Sequence, residues 1–334
     1  MIEALGYLAL AAVSSLVIWK SSSYFEDSAD KLASYYGLPA VVQGAVVAAV
    51  GSSMPELSAV VVSAFRGEFE IGVGAIVGSA VFNILVIPAV ATFYREGSMS
   101  LSRDLVYKEA QFYMLSIATL LVTFSFAVIY YPVGGRSLLE GSVTRPLALI
   151  PILLYFLYIF IQYLDTADYD APDSDVSPVK NWLILTVSLG VIVVGVEGLV
   201  RSVVGLGDVF GTPAFFWSLV IVAAGTSLPD AFVSIEAMKS GKGDVSLANV
   251  LGSNTFDLLI AVPTGIMIVG SDTVIFSHVV PMMAFLVFAT IALFVFLRTG
   301  MMITNREAYL LLGIYAVFVV WVTAESLGAV GLVR

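Results

Sequence analysis

The sequence predicts an all-α membrane protein: ten transmembrane helices in two inverted five-helix repeats, each repeat holding a broken helix. Three observations carry this. The 334 residues are 59% hydrophobic and 12% charged, with a mean hydropathy of +0.99. A soluble domain is roughly half apolar and a quarter charged, so this chain lacks the polar surface that water demands. Apolar stretches of about 20 residues, the length that crosses a bilayer, recur along it. Finally, a segment of the first half returns in the second, with Gly, Ser, Pro and acid in the same order.

Composition also excludes. A net charge of −10 and a pI near 4.5 argue against nucleic acid, which requires a basic face. Without cysteine there are no disulfides, thiolate metal sites or cysteine nucleophiles. The single histidine, His278, rules out most imidazole metal sites and any triad needing two. No enzymatic constellation and no organic cofactor emerge.

The ten apolar segments are 4–19, 39–64, 71–94, 105–131, 146–164, 180–200, 213–238, 245–270, 277–298 and 307–327. The first has Glu3 ahead of it and Lys20 behind, the reverse of a secretory leader, so it is expected to be a retained span. Between the fifth and sixth lies a polar stretch, Asp165 to Lys180, acidic and holding Pro172 and Pro178. The expected organisation is therefore a first repeat at 1–164, an acidic cytoplasmic linker at 165–179 and a second, inverted repeat at 180–334. With both termini outside, ten of the fifteen lysines and arginines fall in cytoplasmic loops. That bias is the one membrane proteins show. The expected location is the plasma membrane.

Residues 37–85 align without a gap on 211–259. AVGSSMPE (Ala49–Glu56) falls on AAGTSLPD (Ala223–Asp230), and VGSAVFNIL (Val77–Leu85) on LGSNTFDLL (Leu251–Leu259). An odd number of spans per half would insert the second copy upside down. Inverted repeats are typical of secondary transporters, whose substrate site lies at midplane between the copies.

The repeated residues are polar where lipid-facing residues would not be. Pro55 and Pro229 lack an N–H, so each helix is expected to break and to free carbonyls, beginning with those of Gly51 and Gly225. Broken helices are tolerated where they line a protected cavity. Glu56 and Asp230 lie deep in apolar spans, where a carboxylate costs about 2.5–3.5 kcal/mol or more and is functional by default. Ser53 and Ser227 stand three residues earlier, on the same helical face. Ser79 and Asn83, like Ser253 and Asp257, are four apart. Together these groups offer only oxygen donors. That set suits Ca²⁺ or an alkali ion rather than zinc or copper, placing the broken helices at an ion site.

The two motifs resemble the alpha repeats of the calcium/cation antiporter superfamily, best known as sodium/calcium exchangers. The resemblance implies that Ser53, Glu56, Ser79, Asn83, Ser227, Asp230, Ser253 and Asp257 bind Ca²⁺ and Na⁺. It adds Ser52, Thr226 and the carbonyls of Ala49 and Ala223. It implies exchange of Na⁺ for Ca²⁺ by alternating access, with the first and sixth spans as gates. GSAVFN at 78–83 and the pairing of Pro229-Asp230 with GSNTFD at 252–257 resemble the potassium-dependent branch, in which the second acid accompanies K⁺. Asp230 departs from the glutamate common among microbial relatives. The acid-containing motif of the proton-coupled branch is absent, which leaves H⁺/Ca²⁺ antiport as a weaker alternative. Outside the class, a cation channel is the rival, and an intramembrane aspartyl hydrolase using Asp230 and Asp257 is a further one. The expected partners are metal cations and lipid, and no protein partner is evident.

Among the other acids, Glu197, Glu236 and Glu325 are expected to pair or to be solvated near helix ends. Glu26, Asp27 and Asp30 are expected to form a solvated face.

Overall fold

The computed structural model describes residues 2–37, 47, 49–94, 101–133, 140–164, 177–298 and 300–330. Most of the acidic linker, 165–176, lies outside them, as does the start of the expected second span, 38–46. The helices are α1 (Ile2–Tyr35), α2 (Ala49–Ser52), α3 (Met54–Arg66), α4 (Phe69–Leu85), α5 (Ile87–Phe93), α6 (Arg103–Tyr130) and α7 (Arg145–Leu164). In the second half follow α8 (Pro178–Phe210), α9 (Ala214–Trp217), α10 (Ala223–Thr226), α11 (Leu228–Lys239) and α12 (Gly243–Phe256), then α13 (Val262–Val269), α14 (Phe276–Arg298) and α15 (Asn305–Ser326). Wide π turns at Ser218–Val222 and Asp257–Ala261 join α9 to α10 and α12 to α13.

Among the described residues, eight helices are long and apolar enough to cross a membrane, nine if the bent pair at Ala214–Thr226 and Leu228–Lys239 counts as one span. Two of them form the centre: Phe69–Phe93 and Gly243–Val269 are each 83% buried along their apolar windows, against 22–39% for the other six. The outer helices turn large apolar side chains outward, among them Leu153, Val194 and Val320. Exposure of this kind is stable only against lipid.

The fold is helical, with one short addition and one correction to the expected spans. β1 (Glu140–Thr144) pairs antiparallel with β2 (Ser271–Ile275), Glu140 opposite Ile275 and Thr144 opposite Ser271. The ribbon ties together the loops after α6 and α13. These short polar stretches carry no apolar alternation, so hydropathy does not reveal them. The first and sixth spans are also far longer than 4–19 and 180–200, at 34 and 33 residues. Hydropathy ends at the first lysine, but a helix does not; 34 residues rise about 51 Å, well beyond a hydrocarbon core of about 30 Å.

The duplication is written in the backbone. Gly37 and Gly211 are left-handed at φ 69° and 64°, and Gly67 and Gly241 at φ 73° and 74°. Each pair stands at the same sequence offset as Glu56 and Asp230. The equivalent helices α1 and α8 run antiparallel along their length. A Cβ added at Gly205 would strike Tyr7, one at Gly198 Ser14 and one at Gly195 Ile18, while Trp182 Nε1 donates to Tyr36 Oη at 3.2 Å.

Candidate cation site

Ser53 and Ser227 are the breaks. Their backbones are nearly identical, φ −89° and ψ 6° against φ −81° and ψ 0°, each just ahead of a helix with proline in its first turn. Proline is well placed there because a first-turn N–H has no helical partner to lose. It starts a new helix rather than kinking an old one, and in the second half the axis bends by 43° at this point. Glu56 and Asp230 thus sit in the first turns of α3 and α11, at the positive ends of the helix dipoles.

The two acids share one fully buried cluster. Ser53, Glu56, Ser79, Asn83, Ser227, Asp230, Ser253 and Asp257 all have 0% exposure, and Ser52 and Thr226 are buried with them. Ser79 Oγ lies 3.5 Å from Glu56 Oε1 and 2.7 Å from Ser227 Oγ, which itself donates to Glu56 Oε1 at 3.2 Å. The second half repeats the intramolecular pairing, with Ser253 Oγ donating to Asp230 Oδ1 at 3.1 Å. Asn83 then crosses the boundary between the halves, its Nδ2 donating to Asp230 Oδ2 at 2.9 Å. The four-residue spacing on α4 therefore serves both acids: Ser79 reaches Glu56 and Asn83 reaches Asp230. Ser52 Oγ and Ser253 Oγ are 3.0 Å apart.

Symmetry fails among the acids. The equivalent of Asn83 is Asp257, an acid whose charged neighbours are Glu56 and Asp230. The Ser53 hydroxyl is close enough to act on its carboxylate, but neither oxygen accepts a hydrogen bond of ordinary length. Glu56 Oε2, Ser53 Oγ and Asn83 Oδ1 are unpartnered as well. Buried oxygens without donors are rare and costly, and these gather on four of the repeated residues. Asp230 is the exception. Both its oxygens accept, so the shorter acid is held in place from Asn83 and Ser253. Among the described residues no three acids, imidazoles or thiolates meet at one point. Hydroxyl and amide groups from the same cluster lie beside the acids.

Some expected donors are engaged elsewhere. The Ala223 carbonyl accepts the N–H of Ser227 at 3.0 Å and lies 3.2 Å from Thr226 Oγ1, which has one proton to share between it and Val222 O. That hydroxyl is turned back on its own helix. Ala49 opens α2, the equivalent of α10. Gly51 and Gly225 are helical, and what each provides is closeness: a Cβ at Gly225 would lie 2.6 Å from Ser15 Oγ. At Gly78 it would lie 2.1 Å from the Leu219 carbonyl oxygen, so α4 packs directly on the π turn before α10.

Sequence reasoning missed Asn249 and Asn254. Asn254 donates to Ala80 O at 3.2 Å and accepts from Asn83 at 3.0 Å, and Asn249 Oδ1 lies 3.5 Å from Ser52 Oγ. Their equivalents are Ala80 and Ala75, so the repeat gives no signal. Two amides within an apolar span were the available clue. Glu26, expected on a solvated face, has a buried, unpartnered Oε1. Glu197 does pair, with Arg66 and Arg201, and Glu236 lies 3.8 Å from Lys239. Glu325 is fully buried rather than solvated. The side chain of His278 lies outside the described ones.

On one face, a cavity of about 1050 Å³ opens between the loops after α3 and α8 and the β-ribbon. Glu68, Glu70, Glu140, Asp208 and Asp272 line it, and among the described residues no lysine or arginine does. Burial pushes the Asp272 carboxyl above the usual range, opposed by the Thr273 N–H. A cleft of one sign concentrates counter-ions at its mouth.

The chain matches the family model described as sodium/calcium exchanger protein over residues 6–164 and 180–324. The sodium/calcium exchanger MaX1 of Methanosarcina acetivorans is 24% identical, across 90% of this chain and 94% of that one. Sodium/potassium/calcium exchanger 3 of Rattus norvegicus is 34% identical over 138 residues, 41% of this chain and 20% of its own length. Among solved structures, the sodium-calcium exchanger NCX_Mj soaked with 2.5 mM Na⁺ and 1 mM Sr²⁺ superposes with a TM-score of 0.63. It is 20% identical and covers 96% of this chain and 98% of its own, which shows a common fold.

Proposed function

The chain belongs to the sodium/calcium exchanger family, and from that premise we propose that it exchanges Na⁺ for Ca²⁺ across the membrane by alternating access at the buried cluster. It is a transporter and not an enzyme, and the ions are its cargo. One observation carries the site assignment: five buried oxygens without donors, on Ser53, Glu56, Asn83 and Asp257. A hard cation is the partner such a set requires. The inner shell on this reading is Ser53, Glu56, Ser79, Asn83, Ser227, Asp230, Ser253 and Asp257. Ser52 steadies Ser253. Thr226 and the carbonyls of Ala49 and Ala223 join only if the helix ends rearrange on binding.

Exchange follows from charge. With Glu56, Asp230 and Asp257 ionised, the pocket carries three negative charges, and burying them uncompensated costs several kcal/mol per ion. Ca²⁺ reduces the charge to −1, and several Na⁺ abolish it. Only loaded forms then cross the barrier between inward and outward states, so one ion must follow the other. The antiparallel packing of α1 on α8 supports an inverted relation between halves 1–164 and 180–334, and with it ten spans. The charge bias of the loops supports both termini outside, the linker in the cytoplasm and a plasma-membrane location. The acidic mouth would then face outward.

The deciding experiment is ⁴⁵Ca²⁺ uptake into proteoliposomes with imposed Na⁺, K⁺ or H⁺ gradients. Uptake driven by Na⁺ alone supports this reading. A K⁺ requirement would place Asp257 at a K⁺ position, the reading favoured by the similarity to exchanger 3. Uptake without any counter-gradient would indicate a channel.

A further inference from the structure

We propose that Glu26 is a transit ligand for the cation, a carboxylate on α1 that takes the ion between Asp230 and the face opposite the acidic cavity. The proposal rests on the exchange reading above and adds a residue outside the repeated motifs.

Its position follows from helix pairing. Val204 and Gly207 of α8 line the acidic cavity, and the adjacent Gly205 meets Tyr7 of α1. Glu26 lies 19 residues further along α1, about 28 Å away, and so belongs to the other side. There it touches the break of the first repeat: a Cβ on Gly51 would come within 3.4 Å of Glu26 Cγ. It also faces the second half, since Trp19 of α1 stacks on Phe232 of α11 at 4.3 Å. The charged groups acting on Glu26 are Asp230 and Asp30, both acids. The nearby lysines are engaged elsewhere: Lys31 pairs with Asp27, and Lys20 lies over the Tyr24 ring. Asp30 is exposed, Glu26 half-buried and Asp230 fully buried. Acids thus descend from solvent to the cluster in order of burial, with Asp30 one helical turn from Glu26.

A structural role explains little of this. The equivalent position in α8 is Val200, fully buried, so the helix pair packs well with an apolar residue there. Of the two acids in α8, Asp208 lines the acidic cavity and Glu197 is gripped by Arg66 and Arg201. Glu26 has a buried oxygen with no donor and only acids as charged neighbours. That arrangement destabilises an empty protein and favours a passing cation.

The test measures sidedness. Na⁺-dependent ⁴⁵Ca²⁺ uptake is titrated with Ca²⁺ in right-side-out and in inverted membrane vesicles carrying wild type, Glu26→Gln or Glu26→Asp. Glu26→Gln should raise the half-saturating Ca²⁺ about tenfold when Ca²⁺ is offered on the Glu26 side, and by less than about twofold on the other. Glu26→Asp, which keeps the charge, should restore most of the loss. An equal shift on both sides, or none on either, overturns the proposal. Should Glu26→Gln fail to assemble, Glu26→Val, which copies the equivalent Val200, is measured in its place and decides it by the same criterion. Absence of Na⁺-dependent uptake in wild type would instead sink the exchange reading.

Discussion

Asp257→Asn separates the burden of the empty site from its use. The substitution copies Asn83 into the equivalent position, with almost no change of volume, and removes one of three buried acids. Both Asp257 oxygens lack donors, and its charged neighbours are Glu56 and Asp230. Replacing a buried, uncompensated charge by a neutral group of its own shape is stabilising by about 1–4 kcal/mol. At about 2 °C per kcal/mol for a chain larger than 250 residues, the ion-free variant should melt about 2–8 °C higher. Calcium should then help it less. A tenfold weaker affinity subtracts about 1.4 kcal/mol from ligand stabilisation, or about 3 °C. The assay is thermal unfolding in detergent at pH 8, in chelator and in saturating Ca²⁺, alongside uptake with and without K⁺. The ion-free curve should move up and the gap between the curves should narrow, while any K⁺ requirement disappears and Na⁺-driven exchange persists. A variant that melts lower without ions and keeps the wild-type gap would refute the view that Asp257 is held for cations.

Glu56→Gln and Asp230→Asn should each abolish Na⁺-driven ⁴⁵Ca²⁺ uptake in proteoliposomes; retained uptake removes that residue from the site. Uptake should fall steadily from pH 8 to pH 5, because protons compete with metal for the same carboxylates, and a flat profile would show that protonation does not compete. Gly78→Val should destabilise by about 1–3 kcal/mol through overpacking, since its side chain meets the Leu219 backbone; unfolding curves at the wild-type midpoint would show the glycine dispensable. Glu197→Ala should cost less than about 1 kcal/mol, because its partners Arg66 and Arg201 are partly exposed and such pairs contribute little.

The repeat made most of the buried cluster legible. Glu56, Asp230 and their serines stand out because polar residues in order, twice, have no reason to persist in a lipid-facing span. Asn83 and Asp257 follow by spacing on α4 and α12. What stayed hidden obeys different physics. Asn249 and Asn254 break the repeat, so alignment of the halves passes over them. Glu26 lies where hydropathy has already turned polar, and the end of an apolar window reads like solvent even when the helix continues inside the protein. The ribbon of β1 and β2 joins segments far apart in sequence, and neither has a pattern of its own. Nor do the motif glycines announce their purpose: Gly51, Gly78 and Gly225 look like backbone looseners, but they are contact points for Glu26, Leu219 and Ser15.

The uneven satisfaction of the three acids bears on how the carrier waits between ions. Asp230 has donors at both oxygens, from Ser253 and Asn83, so its charge is tolerated whether or not metal is present. Glu56 has hydroxyls at one oxygen only, and Asp257 has none at either. On the exchange reading, the need for a cation is therefore concentrated on the Glu56–Asp257 side, while Asp230 anchors the geometry across the two halves. Replacing Asn83 by an acid would spoil that division, since Asp230 would lose a donor and gain a like charge. On that reading, the amide gives Asp230 a donor in the absence of metal, and the carboxylate leaves the opposite side dependent on it.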